Sequence, residues 1–343
     1  MAAPATPLEF LAPGWFSIVM GLCGLSLAWH RAVPLLGDGA GAAALVLGGI
    51  AALAAVVLAV ASTWRWHRHA SAVAEDLHHP VRHVFVAAMP VSMILLSTVA
   101  VAVSGPNLWA RGLWVVGSVW QLAVTVWVLS RWLAPAGGLP AGSFWMGMTP
   151  ALLIPVVGNV LVPLAGVSLG YGAWSTAQFG VGLFFWPLVI GLLVVRIGVA
   201  GLWPQRLLPT TFITMAPPSV IGLAALQLGA PDTVAWAAWG IALAFALWSA
   251  SVLRRALDQP FAIAAWALSF PLAAFSALSL RLAPGAALPF QVLALAMLAL
   301  ATLVVAALVL ATVKGLRRGT LLVPEPVAPA AAAPAGEQAT PAV

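Results

Sequence analysis

The chain has 343 residues, 63% of them hydrophobic and only 6% charged, against about 25% charged in a soluble globular protein. Such a composition cannot cover a water-exposed surface, which excludes a soluble enzyme and leaves an integral membrane protein in contact with lipid. The formal net charge of +6 does not point to nucleic acid, because the basic residues stand in short clusters between apolar runs, as in membrane loops.

A membrane-spanning helix needs about 20 apolar residues. In chain order the sequence predicts ten spans, at 14–30, 41–62, 84–104, 109–131, 144–165, 173–198, 209–229, 234–253, 261–281 and 288–313. Residues 1–12 read as a short N-terminal segment, 13–318 as one membrane domain, and the Ala- and Pro-rich 319–343 as a disordered tail. No Lys or Arg precedes Arg31, so the first apolar run lacks the basic start of a signal peptide and is expected to be retained. The single cysteine, Cys23, excludes an internal disulfide and a cysteine metal cluster.

Span one carries Gly21 and Gly24. The loop after span two holds most of the six histidines, with Glu75, Asp76 and Arg82 expected to tie it to the start of span three. Buried prolines then fall in alternate spans: Pro90, Pro155 and Pro163, Pro217 and Pro218, and Pro271. The successive intervals Pro90 to Pro155, Pro155 to Pro217 and Pro217 to Pro271 are 65, 62 and 54 residues, and one further step back from Pro90 reaches Gly21 and Gly24. The even spans hold one mid-span proline, Pro187. This alternation predicts a repeated unit of one broken helix and one plain helix: an all-α membrane fold of ten helices in five hairpins, the broken helices ringing a central pore. On that reading Gly21, Gly24, Pro90, Pro155, Pro217 and Pro271 are the kink positions lining it.

Proline frees a carbonyl from its helical partner, and irregular backbone at membrane depth persists only where protein or water satisfies it. The broken spans also carry Ser92, Ser97, Thr98, Asn159, Thr210, Thr211, Thr214 and Ser219, which suit either helix packing or pore lining. No Asp, Glu, Lys or His lies at the centre of a span, which counts against proton coupling. All six histidines lie at span ends or in the loop after span two, which counts against a haem held within the bundle. No nucleotide-binding motif is present, and neither a cofactor nor a metal is expected. A neutral pore remains, with modest anion preference from loosened N–H groups and a basic mouth. Eleven of the fourteen basic residues sort to one side and Arg31, Arg111 and Arg281 to the other, which places both termini in the cytoplasm of a bacterial-type inner membrane.

Four stretches resemble one known family: PGWFSIVMGLCGLSLAW at 13–29, EDLHHPVRHVFVAAMPVS at 75–92, LLPTTFITMAPPSV at 207–220 and WALSFPLAAFSAL at 266–278. A fifth, IPVVGNVLVPLAG at 154–166, matches more loosely. The family is that of the tellurite-resistance/dicarboxylate transporters, which includes the plant slow-type anion channels. The resemblance implies ten helices in five hairpins, usually as a homotrimer with one pore per subunit. It also implies that Phe270, directly before Pro271, plugs the pore. The expected cargo is a small inorganic anion or a C4-dicarboxylate moved by a channel or uniporter. A proton-coupled transporter of malate or sulfite, and a membrane haem or redox protein, are the alternatives.

Overall fold

The computed structural model describes residues 7–133 and 143–324, and every regular element among them is helical. Most of the expected tail and residues 1–6 lie outside the described residues. Ten apolar segments follow one another: α1 (Ser17–Arg31), α2 (Asp38–Arg68), α3 (Arg82–Ser104), α4 (Leu108–Leu133), α5 (Pro150–Gly166), α6 (Gly172–Ala200), α7 (Gln205–Gln227), α8 (Asp232–Ala250), α9 (Ile263–Leu282) and α10 (Leu288–Arg317). Eight of them are long and apolar enough to cross a membrane; α1 and α5 are shorter. The stretch after α2 is not the long loop expected: α2 runs on to Arg68, and a short helix, Ala70–His78, follows.

The odd and even segments differ in burial. In its most apolar stretch α7 is 94% buried and α3 and α9 are 61% buried, whereas α6 is 17% and α2 and α8 are 22% buried. Large apolar side chains such as Leu53, Phe184 and Leu303 stand exposed on the even helices. Uncharged and outward-facing over a membrane-long helix, they suit lipid. Each even helix buries one narrow stripe instead. On α2 the stripe is Ala40, Ala44, Gly48 and Ala51, spaced three and four apart on one face. Small residues there let the backbones approach closely: a Cβ added to Gly48 would stand 2.7 Å from Val99 Cγ1 of α3.

Each odd segment packs against the even helix that follows it. The odd segments also pack on one another in sequence, α1 on α3, α3 on α5, α5 on α7 and α7 on α9, and α9 returns to α1. These contacts close a ring, and it holds the candidate site.

The break in the odd segments is a change of helix type. Tight 3₁₀ stretches, Arg82–Ala87, Gln205–Met215 and Ile263–Leu268, run into α-helix at Ala88, Ala216 and Ser269. Before α1 lies a 3₁₀ turn, Pro13–Phe16. Within α5 the type switches three times, between Pro150–Leu152, Leu153–Val157, Gly158–Leu161 and Pro163–Gly166. Pro90, Pro155 and Pro271 are therefore third residues, and Pro217 a second residue, of new α-helical stretches. N–H groups in a first turn have no α-helical partner, so proline forfeits little there. A 3₁₀ stretch rises about 2.0 Å per residue against 1.5 Å in an α-helix, so the mixed segments cover more depth per residue.

Candidate functional site

Two cavities lie inside the ring, and both are bordered by residues from all five odd segments and their lead-in turns. The smaller, about 40 Å³, is lined only by apolar residues, among them Val91, Val157, Pro217 and Val220. The larger, about 180 Å³, opens at the end of the molecule that carries His79, Arg82 and Arg206, and these three residues border it. Met20 of α1, Ile154 of α5, Ile213 of α7 and Phe270 of α9 border both cavities. These four residues stand where the two cavities meet.

Phe270 is 8% exposed, and its ring lies against α1 at Gly24. A Cβ on Gly24 would stand 3.0 Å from the ring's Cδ2, so the glycine leaves room for the aromatic edge. Gly21 faces α9 in the same way, against Ser269 and Trp266. Of the six kink positions read from the sequence, Pro217 borders the smaller cavity and Pro271 the larger. Pro90 and Pro155 border neither and turn toward α4, where the Pro90 carbonyl meets Gly117 and the Pro155 carbonyl meets Gln121 and Thr125. Gly21 and Gly24 serve the α1–α9 contact and also border neither cavity.

The buried hydroxyls singled out in the sequence and the Asn159 Nδ2 are hydrogen-bonded within the fold. Ser97 donates to Ala110 O at 2.7 Å, Thr98 to Ile94 O at 2.8 Å and Ser219 to Met215 O at 2.8 Å. Other buried side chains reach carbonyls in or beside the 3₁₀ stretches. Ser92 donates to Phe16 O at 3.2 Å, Ser249 of α8 to Thr211 O at 3.1 Å, and Trp114 of α4 to Val162 O at 2.9 Å. The α5 switch is the most elaborate. There Gln121 Nε2 donates to Ile154 O (3.1 Å) and Pro155 O (3.0 Å), Thr125 donates to Pro155 O (2.6 Å), and Asn159 Nδ2 donates to Thr125 Oγ1 (2.8 Å). Irregular backbone at depth is thus satisfied by neighbouring side chains, as a dry surrounding demands.

At the basic end, Asp76 sits between two arginines: Arg65 at 2.7 Å and Arg82 at 2.8 Å. Arg82 also reaches Glu75 at 2.5 Å. The expected tie between this acidic pair and the start of α3 is present, and Arg65 extends it to α2. No group of three or more His, Cys, Asp or Glu side chains that could hold a metal occurs among the described residues.

Sequence reasoning missed Met20, Ile154 and Ile213. A usable signal existed for one of them. Ile154, Ala216 and Phe270 each directly precede the proline of a broken segment, and each faces the smaller cavity. In α3 the register differs, and Val91, after Pro90, takes that place.

The comparisons with known proteins identify a family. Residues 11–313 match the model of a family described as voltage-dependent anion channel. The chain is 26% identical over 271 residues to a tellurite resistance protein TehA homolog of Haemophilus influenzae, covering 78% of this chain and 79% of that protein. It is 23% identical over 304 residues to an uncharacterized transporter of Methanocaldococcus jannaschii, covering 79% of this chain and 83% of the other. A match running through all ten apolar segments places this multi-pass membrane protein in the voltage-dependent anion channel family.

Proposed function

We propose that the protein is a passive anion channel or uniporter whose path runs through the two cavities and is closed by Phe270. In this reading all ten segments cross the bilayer as five hairpins around a central pore, with both termini in the cytoplasm of a bacterial-type inner membrane. The observation that carries it is that Met20, Ile154, Ile213 and Phe270, drawn from four of the five ring segments, border both a basic cavity and an apolar one. A constriction walled by apolar side chains resists wetting and so holds ions back. The positive charge of Arg82 and Arg206 at the larger cavity raises the local concentration of anions.

The small size of the dry cavity favours a small inorganic anion as cargo over a C4-dicarboxylate. None of the residues bordering it is ionisable, which disfavours the proton-coupled alternative. Assembly as a homotrimer, one pore per subunit, follows the resemblance to the family's members.

Phe270→Ala is expected to raise chloride conductance at least tenfold in liposomes or oocytes, because removing the ring joins the two cavities. Wild-type conductance from a variant inserted at normal level would remove Phe270 as the gate. In a chloride gradient the reversal potential should follow chloride alone. A potential that tracks an imposed proton gradient at a fixed ratio would instead establish coupled transport.

A further inference from the structure

Arg82 is held by two carboxylates of unlike standing. Asp76 is buried, its side chain 2% exposed, and it already has a second partner in Arg65, itself 5% exposed. Arg65 is locked further by its Nε–H to Glu9 O at 3.0 Å and its Nη2 to Ala72 O at 3.3 Å. The buried charge of Asp76 is thus balanced by Arg65. What remains to balance Arg82 is Glu75, whose side chain is 69% exposed.

Arg82 also borders the larger cavity, and neither carboxylate does. The residues around that cavity include Arg82, Arg206, His79 and Ser17 but no Asp or Glu. His79 Nδ1 accepts from the backbone N–H groups of Val81 and Arg82, both at 3.1 Å, which leaves Nε2 as the proton-bearing nitrogen of the neutral ring. The Arg82 Nε–H makes no hydrogen bond among the described residues. Every ionisable group on the cavity wall is therefore basic or a donor, and both carboxylates that offset Arg82, the buried Asp76 and the solvent-exposed Glu75, lie off that wall.

We infer that the larger cavity is an anion-binding vestibule with Arg82 as its principal ligand, and that Glu75 is a tethered competitor for that ligand. The ligand is a small monovalent inorganic anion, and the inference rests on the permeation path proposed above for its identity as cargo. When the vestibule is empty, Glu75 holds Arg82. An arriving anion takes over the guanidinium, and Glu75 turns to water. An exposed ion pair biases such an equilibrium by at most about fivefold, so the exchange needs no large driving force. Glu75 would thereby set the concentration at which the vestibule fills.

The test is chloride titration of the purified full-length protein, read by ³⁵Cl line broadening. Glu75→Gln should tighten chloride binding about two- to fivefold, the bias of an exposed pair. Arg82→Gln should weaken it about tenfold, and Arg82→Gln with Glu75→Gln should bind no better than Arg82→Gln alone. Unchanged or weaker binding in Glu75→Gln overturns the inference, as does unchanged binding in Arg82→Gln. Because Glu75 is exposed, its variant decides the matter even if Arg82→Gln fails to fold. Chloride flux through Phe270→Ala liposomes is measured alongside. Flux without the Glu75→Gln shift rejects the vestibule alone. The shift without flux rejects the permeation path and leaves the vestibule standing.

Discussion

Gly21 and Gly24 show how a single residue's meaning depends on what approaches it. Read from the chain, both loosen a helix. In the fold both are places where α9 comes close to α1, one beneath Ser269 and one beneath the Phe270 ring. A Cβ on Gly21 would lie 2.2 Å from Ser269 Oγ and 2.6 Å from Ser269 Cβ, so the two helices must part. Gly21→Ala is expected to destabilise the protein by about 1–3 kcal/mol, the usual range for overpacking. The measurement is the unfolding midpoint in detergent. Gly39→Ala serves as the control, since nothing lies within 4 Å of its added Cβ and its midpoint should not fall. Phe270 was identified from its place before Pro271 in a matching stretch, while Met20 and Ile213 had no such mark. Their placement depends on the rotation of α1 and α7 about their own axes, which the other ring segments set.

At the scale of the element, the prolines were readable and the groups that support them were not. Proline acts locally: it forfeits one donor and fixes one dihedral, and its position in the chain announces a break. The donors that satisfy the freed carbonyls come from elsewhere. Gln121 reaches Ile154 and Pro155 from 33 and 34 residues away. Gly158 makes that reach possible, since a Cβ there would stand 2.8 Å from Gln121 Nε2. Gln121→Leu should therefore cost about 1–3 kcal/mol, the price of leaving buried carbonyls without a donor. Thermal unfolding in detergent would register it, and an unchanged midpoint would show that the remaining Thr125 bond suffices. The hydroxyls of the broken segments, which suited either packing or pore lining on sequence grounds, resolve to packing for the same reason. Ser92, Ser97, Thr98, Thr210, Thr214 and Ser219 donate to carbonyls, and none of them borders either cavity.

For the whole molecule, the sorting of charge was plain in the sequence because membrane orientation responds to Lys and Arg counted loop by loop. It predicts that green fluorescent protein fused after Val343 will fluoresce in cells and that alkaline phosphatase fused there will stay inactive. The opposite pattern would reverse the orientation and put the Arg82 cavity on the outer side. The ring itself was inferred from the alternation of broken and plain spans. Its closure, α9 returning to α1, joins segments more than 230 residues apart, a distance over which local propensity carries no information.

By itself the sequence determined that this is a membrane protein, that apolar helices follow one another along it, which of them are irregular and which end is basic. These properties follow from transfer free energies and backbone chemistry summed along the chain, and neither depends on a neighbour. Only the tertiary structure decided which faces of the irregular segments meet, leaving a dry cavity, a basic one and four residues where the two meet. Facing depends on axial rotation and on contacts between distant segments, where small shifts in packing turn a lining residue into a buried contact.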